Sequence, residues 1–528
     1  MNLFNWIANK KLKKVGAVKD ESTDSGSFLV NDRNNIKKWK LECYNVWYEG
    51  DEDELLRFHT NQVMFNLPTE PVFSRNQRAY FWNISATETD VKRTHSGQPR
   101  NIIDTLVNIM GIPEMHSDEA SNERLKTILE ANDFVNVYLQ EQMPLTLVEG
   151  WGAYKISWDL DEADYPVVLY YRADECDFIK RGNNIIGIIF KDYYTDGEKR
   201  YLLTETRTLR GKDLIIEKEA FEVISEKDEV KKVNIDDVDI FKGIEPLIEV
   251  KGIGVLLAVP CVIFKDTSRT GLQGRSIFTG KISLFDDLDQ ALSQGSNSVR
   301  RSTPIEYFNS DYMEKDITNG GLPKMPHVYD RKYTMYTGGR DANGGSIQAN
   351  PVQVSQPQIE FSKYSEEAKA ILLQIVNGIM SPATLGIDIS KKDNAEAQRE
   401  KEKVTIFTRN RIISVETKIL HAVLEQTLIA DEIMHTDTVS RLHYDISVKF
   451  DEFADDSYEN KIAVLGDAYA KDVISDKMYI SKLYGDKLSE EDKNYELQYL
   501  QKYHPQPSAM QSDEMLMDGE DDGSMEQL

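Results

Sequence analysis

His95 next to Ser96 is the pair most able to do covalent chemistry, as a base beside a nucleophile. Such catalysis needs the two side chains within hydrogen-bond reach, a third group to orient the imidazole, and donors for an oxyanion. Neighbours on an extended segment point to opposite faces, and neither the third group nor the oxyanion motif is visible. His95 therefore reads as a turn histidine. The acidic run Glu49–Glu54 around Gly50 has enough oxygen to hold a cation. It lacks the alternating ligands and terminal bidentate Glu of a calcium loop, and reads as a solvated helix junction. Gly252-x-Gly254 has no third glycine and no flanking βαβ unit, so it is a poor dinucleotide fingerprint. The sequence contains neither GxxxxGK[ST] nor HExxH, and its eight histidines are scattered. The carboxylates of Asp286 and Asp289 could serve a metal-dependent reaction, but acids are so abundant that no single pair is informative. Nothing here requires an enzyme, a metal or a cofactor.

Charge narrows the classes further. Across 528 residues, 63 Lys and Arg stand against 89 Asp and Glu, a net charge of −26. A protein that grips nucleic acid along a fixed face carries a basic excess. Acidic walls repel phosphates, so this balance suits a surface past which nucleic acid slides. Cys43, Cys176 and Cys261 are far apart and form no CxxC pair, as expected of reduced thiols. No apolar run reaches the roughly 18 residues of a bilayer span. The start, Met1 to Gly16, is short and basic, without the apolar core of a secretory signal, and reads as an amphipathic arm that docks on a neighbouring surface.

The elements that would position any site are organised around the stretch Gly274 to Ala430. Phe285, Leu288, Leu292 and Val299 form one apolar stripe at helical spacing, with Asp286, Asp287, Asp289, Gln290, Gln294 and Asn297 expected on the polar faces. Gly295 is expected to loosen or kink that helix. A second stripe runs through Phe361, Tyr364, Ala368, Ile371, Leu372, Ile375 and Ile379. Between them lies an insert rich in Gly, Pro, Asn and Tyr, with short strands at Ile305–Phe308, His327–Tyr329, Tyr333–Tyr336 and Ile347–Val354. Two one-stripe helices around such an insert make a stalk with a module at its tip, ~30 Å long for twenty residues. Ser381-Pro382 breaks the second helix, Asp388 to Asn394 is a polar loop, and a long helix follows from Ala395 to about Ala430.

Upstream, Asp20 to Asp32 is polar and reads as loose, Asn35 to Phe65 as helical, and Tyr80 to Asp90 as an aromatic extended segment. Helices follow at Ile102–Met110 and Ser121–Leu147, and Gly150-Trp151-Gly152 brings backbones close. From Ala153 to Val233 the period is two, a meandering antiparallel region with strands that include Leu214–Ile216 and Phe221–Val223. A strand at Tyr444–Phe450 and short helices from Glu459 to Tyr503 complete an α+β chain, and the acidic stretch from Pro505 reads as disordered.

Several motifs occur in a telling order. They are Trp39 and Trp47-Tyr48-Glu49-Gly50-Asp51, Tyr80-Phe81-Trp82, His95-Ser96-Gly97-Gln98-Pro99-Arg100 and Gly150-Trp151-Gly152-Ala153. Gly274-Arg275-Ser276-Ile277-Phe278 follows, with Leu284, Leu288-Asp289, Ser298 and Arg300 behind it. From Ile36 to Tyr503 the chain resembles the portal proteins of tailed double-stranded DNA bacteriophages, in particular long-tailed phages of Gram-positive hosts.

The resemblance implies an N-terminal arm (1–35), a wing (36–280), a first stem helix (281–301), a clip (302–360) and a second stem helix (361–380). It further implies a region 381–450 holding a tunnel loop, a long wing helix and a wing strand, then a helical crown (451–504) and a tail (505–528). It implies a homo-oligomeric ring of about twelve subunits at one capsid vertex of the virion, assembled in the host cytoplasm. Double-stranded DNA would pass through without sequence preference. The expected partners are the large terminase subunit, the head–tail connector, the major capsid protein and scaffold, and no membrane. On the tunnel loop, Asp388, Ser390, Lys391, Lys392 and Asn394 would touch DNA, the lysines as paired rings of positive charge. Arg300 and Arg301 are candidates to line the channel, and Tyr329, Tyr333 and Tyr336 to meet partners at the clip. The alternatives are a metal-dependent nucleic-acid-processing enzyme or a capsid or scaffold component that forms no ring.

Overall fold

A computed structural model describes residues 25–60, 80–83, 91–158, 163–182, 184–224, 230–267, 272–302, 305–309, 315–316, 320, 322–323, 332–336, 352–355, 360–387, 395–436, 441–450, 462, 465–469, 471, 473–484 and 490–503. The chain is of α+β class and divides into two compact units, Met1–Asp451 and Glu452–Leu528.

The first unit begins with helix α1 (Ser25–Glu49), a turn at Gly50, and α2 (Glu52–Thr60). Helix α1 thus starts inside the Ser-rich stretch expected to be loose. The acidic junction works as a cap: Asp51 Oδ1 accepts the N–H groups of Asp53 (2.9 Å) and Glu54 (3.0 Å), which α2 would otherwise leave open. Phe81–Asn83 form a single 3-10 turn, not the extended strand that their aromatic run suggested. Helix α3 (Gln98–Met110), strand β1 (Glu114–His116) and helix α4 (Asn122–Ala131) follow. Next come α5 (Phe134–Val137), a π turn (Tyr138–Gln142) and α6 (Met143–Glu149).

Two antiparallel sheets then form. Strands β2 (Gly152–Ser157) and β3 (Val167–Tyr171) join β10 (Ala258–Cys261) in the order β10-β2-β3. Strands β4 (Cys176–Arg181), β5 (Asn184–Asp196), β6 (Lys199–Arg210), β7 (Asp213–Val223) and β8 (Val230–Val233) meander in sequence, and β9 (Leu247–Val250) also pairs with β7. The apolar patches at 214–216 and 221–223 belong to one strand, because Glu217 and Glu219 continue the ladder on the more exposed face. Strand β4 escaped the sequence reading, since Asp177, Lys180 and Arg181 interrupt its apolar pattern.

The first of those interruptions is paired inside the protein, while Lys180 and Arg181 are exposed. Asp177 lies between Lys37 and Lys191, 2.6 Å from each; burial alone would raise its carboxyl, but the two ammonium groups outweigh that and hold it low. Similarly, burial opposes ionisation of Glu205, yet Arg207 at 2.7 Å and Lys155 at 3.3 Å draw its carboxyl down to about 2. Arg207 Nη1 also donates to the carbonyls of Ile156 and Leu257, tying the six-stranded sheet to β2 and to a leucine at φ 45°.

The core gathers around Trp47, Trp82, Tyr138, Tyr154, Phe278 and Phe285, all fully buried. Gly150 and Gly274 are at a crossing of two backbones: a Cβ on Gly150 would sit 2.8 Å from the Arg275 carbonyl carbon, and one on Gly274 would strike the Gly150 carbonyl. That crossing leads through Phe278 into helix α7 (Ile282–Arg301). Strands β11 (Ile305–Asn309), β12 (Lys315–Asp316), β13 (Leu322–Pro323), β14 (Lys332–Tyr336) and β15 (Val352–Ser355) follow, then helix α8 (Phe361–Val376). The sheet β14-β11-β15 pairs β11 parallel to β14 and antiparallel to β15. A 3-10 turn (Pro382–Leu385) fills the expected break. Helix α9 then runs unbroken over Ala395–Thr436, and β16 (Ser447–Lys449) returns to pair with β1.

In the second unit, α10 (Asp476–Tyr484) packs on α11 (Glu490–Tyr503), with Ile480 and Leu483 buried and Tyr469 stacked on Tyr479 at 4.7 Å.

Candidate assembly and channel face

Helices α7 and α8 form the antiparallel pair around which a site can be built. Asp286, Asp289 and Ser293 recur at i, i+3 and i+7, so they share one face of α7. The sequence reading put the two aspartates on solvated faces. The structure corrects this: all three are buried and grip the chain that crosses them. Asp286 accepts the N–H of Phe81 (2.8 Å) and of Trp82 (3.4 Å). Asp289 accepts from Trp82 Nε1 (3.1 Å) and the Ser96 N–H (2.8 Å), and its Oδ2 is 2.7 Å from His95 Nδ1. Ser293 Oγ accepts the Thr94 N–H at 3.0 Å. Segments 81–82 and 94–96 run without regular ladders there, so their backbone donors need side-chain partners. Burial raises the Asp286 carboxyl to about 6, although the Phe81 and Trp82 N–H groups oppose the shift.

His95 and Ser96 therefore serve the turn into α3. The Ser96 hydroxyl lies 3.5 Å from the Gln98 nitrogen, and no bond joins it to the imidazole among the described residues. His59, its ring tilted against Tyr80 with centroids 4.7 Å apart, is buried and has its imidazole pushed down to about 4 by desolvation. No group of three or more His, Cys, Asp or Glu is placed to hold a metal among the described residues.

Gly295 does not break α7. A Cβ there would meet Tyr364 Cβ at 3.1 Å, so the missing side chain serves the close approach of α8 and not a kink. At the other end of the pair, Lys281 Nζ donates to the carbonyls of Gln374 (2.8 Å) and Asn377 (3.1 Å). A cation on the last carbonyls of α8 opposes the helix dipole. Helix α8 ends at Val376, short of the expected Met380, where Lys281 and the turn 377–379 close it.

The apolar stripe of α7 changes character along its length. Phe285 and Leu288 are buried in the main core, while Leu292 and Val299 are 40% and 47% exposed. On α8, Ala368 and Ile375 are buried, but Phe361 and Leu373 are 49% and 46% exposed. Val404 and Phe407 near the start of α9 are exposed as well. This is large aliphatic and aromatic surface on elements whose roots are firmly fixed.

Of the residues expected to touch DNA, Asp388, Ser390, Lys391, Lys392 and Asn394 all lie outside the described residues. Arg300 is exposed near the end of α7, with Nη2 3.1 Å from Asn297 Oδ1; Arg301 is the last residue of the helix. Tyr333 and Tyr336 fall on β14, an outer strand of its sheet, opposite Glu306 and Asn309. Tyr329 lies outside the described residues. The structure thus brings Arg300 and Arg301 to the helix end that leads into the sheet of Tyr333 and Tyr336. No helix among the described residues is long and apolar enough to cross a membrane. The sequence matches no protein-family model and no curated protein.

Proposed function

We propose that the chain is the subunit of a portal ring: about a dozen copies around a channel through which a phage genome is packaged, retained and ejected. The observation that carries this reading is the division of the α7–α8 pair. Its root is fixed by Asp286, Asp289 and Ser293, while Leu292, Val299, Phe361 and Leu373 stay 40–49% exposed within one chain. A rigid pair with uncovered apolar surface is the part that a cyclic head-to-tail interface needs. The order of motifs shared with portal proteins supports the same reading, with α7 and α8 as the stem and β11–β15 as the clip. A chain of net charge −26, repeated around a circle, makes a strongly negative wall that lets a duplex slide. The clip would meet the terminase and then the connector. Hydrolysis at Asp286 and Asp289 is the weaker reading, because both carboxylates already accept buried N–H donors.

Sedimentation of the purified chain without nucleotide tests this. A closed assembly near twelve subunits is expected, and a monomer at micromolar concentration argues against it. The proposed tunnel loop has its own test. Lys391→Ala with Lys392→Ala should leave the assembly intact, yet lower DNA packaging or retention, with an effect that shrinks at high salt. Unchanged packaging removes these lysines from the mechanism.

A further inference from the structure

Glu416 lies at the middle of α9 and is fully buried. It stands among Ile412, Ile419 and Leu420, facing the π turn and the sheet β10-β2-β3. Its one side-chain hydrogen-bond partner among the described residues is the Gln142 amide, whose Nε2 is 3.2 Å and 3.4 Å from the two carboxyl oxygens. Tyr138 from the π turn, Tyr154 from β2 and Cys261 from β10 also face it electrostatically. Tyr138 Oη, Tyr154 Oη and Gln142 Oε1 are buried without a hydrogen-bond partner among the described residues. Behind them, Thr146 Oγ1 and Tyr170 Oη bond each other at 2.9 Å.

No described cation acts on Glu416. On its own helix, Arg409 is turned to the carbonyl of Ile109 at 2.9 Å, and Lys418 is exposed. On the other packed elements, Arg100 and Asp104 of α3 pair at the surface, and Lys449 of β16 is exposed. Lys155 of β2 points to Glu205 and Asp192, and Glu149 of α6 to Arg172.

An ionised carboxylate with no counter-charge in such a place is strongly disfavoured. A neutral acid is not, because its O–H can donate to an acceptor in this cluster, and its carbonyl can accept from Gln142. We propose that Glu416 is a proton-operated latch: as a neutral acid it seats α9 on the π turn, and its ionisation loosens that seat. The π turn is the fitting counterpart, since Tyr138 and Gln142, four residues apart, both meet Glu416 from it. Burial pushes the Glu416 carboxyl up to about 7, which puts the transition near neutral pH.

The sign follows from linkage. The folded chain holds this proton to about pH 7, whereas the unfolded chain releases it near the ordinary 4.5. The stability that Glu416 contributes is therefore greatest below about 4.5, falls as pH rises, and levels off above about 7. The test compares the full wild-type chain with Glu416→Gln, a neutral isostere, by thermal unfolding and by amide exchange of segments 134–149 and 405–430 between pH 4.5 and 8.5. Relative to E416Q, the wild-type folding equilibrium should fall about a hundredfold across that window. Its amide exchange in these segments, corrected for the intrinsic rate, should accelerate as pH rises toward 7 and level off above it, in the wild type alone. Parallel pH profiles for the two chains overturn the proposal. So does failure of E416Q to fold, since a latch closed by a neutral acid must accept the neutral amide.

Discussion

Asp289→Ala is expected to lower the stability of the first unit by about 3–5 kcal/mol, the range for removing one member of a buried charged network. The effect is large because the three donors stay behind. Trp82 Nε1, the Ser96 N–H and the His95 imidazole would each be left in the core without their acceptor. Asp287→Ala, one helical position from Asp286 and only partly buried, is the matched control and should change stability by less than about 0.5 kcal/mol. Urea unfolding followed by tryptophan fluorescence reads both, since Trp82 is itself a partner. Equal losses in the two variants would mean that Asp289 does not fix the root of α7. If the root is fixed as described, Asp289→Ala should also scatter the orientation of the helix pair and so hinder assembly of whatever protein remains folded.

The second large effect concerns association. Leu292→Glu with Leu373→Glu is expected to abolish the oligomer and leave a folded monomer. Both leucines are already two-fifths or more exposed within one chain, so neither change removes much internal packing. In a ring they would be covered by neighbours. The part of the two leucines that a neighbour would cover is worth about 2 kcal/mol per interface, roughly thirtyfold in affinity, before the added charge repulsion is counted. Light scattering gives the mass, and circular dichroism with the urea midpoint shows whether the fold survives. A variant that keeps its full assembly size would place the interface elsewhere on the molecule.

The helix pair could be read from the sequence because its apolar residues keep helical spacing on both sides of a Gly-rich insert. The insert's strands 305–309 and 332–336 were legible from their Tyr, Phe and Ile content. What periodicity could not convey was which polar residues turn inward. Asp286, Asp289 and Ser293 have the spacing of a buried stripe, yet their charge and polarity argued for solvent. The deciding fact is a distant irregular backbone with open N–H groups, and no local pattern records that. Glu416 shows the same limit. It occupies a position on the apolar stripe of α9 between Ile412 and Leu420, so an acid at a core position was the available signal. Gly295 was read from helix propensity as a defect, and tertiary packing against Tyr364 overrode that. The joining of two apolar patches into the single strand β7 depended on its ladder with β6, a non-local pairing.

Axial electron micrographs of the purified full chain test the central claim most directly. The account predicts closed rings of uniform copy number with an open centre, in which α7 and α8 of each copy lie against those of the next. Solitary particles, or assemblies in which Leu292, Val299, Phe361 and Leu373 stay exposed to solvent, would contradict it.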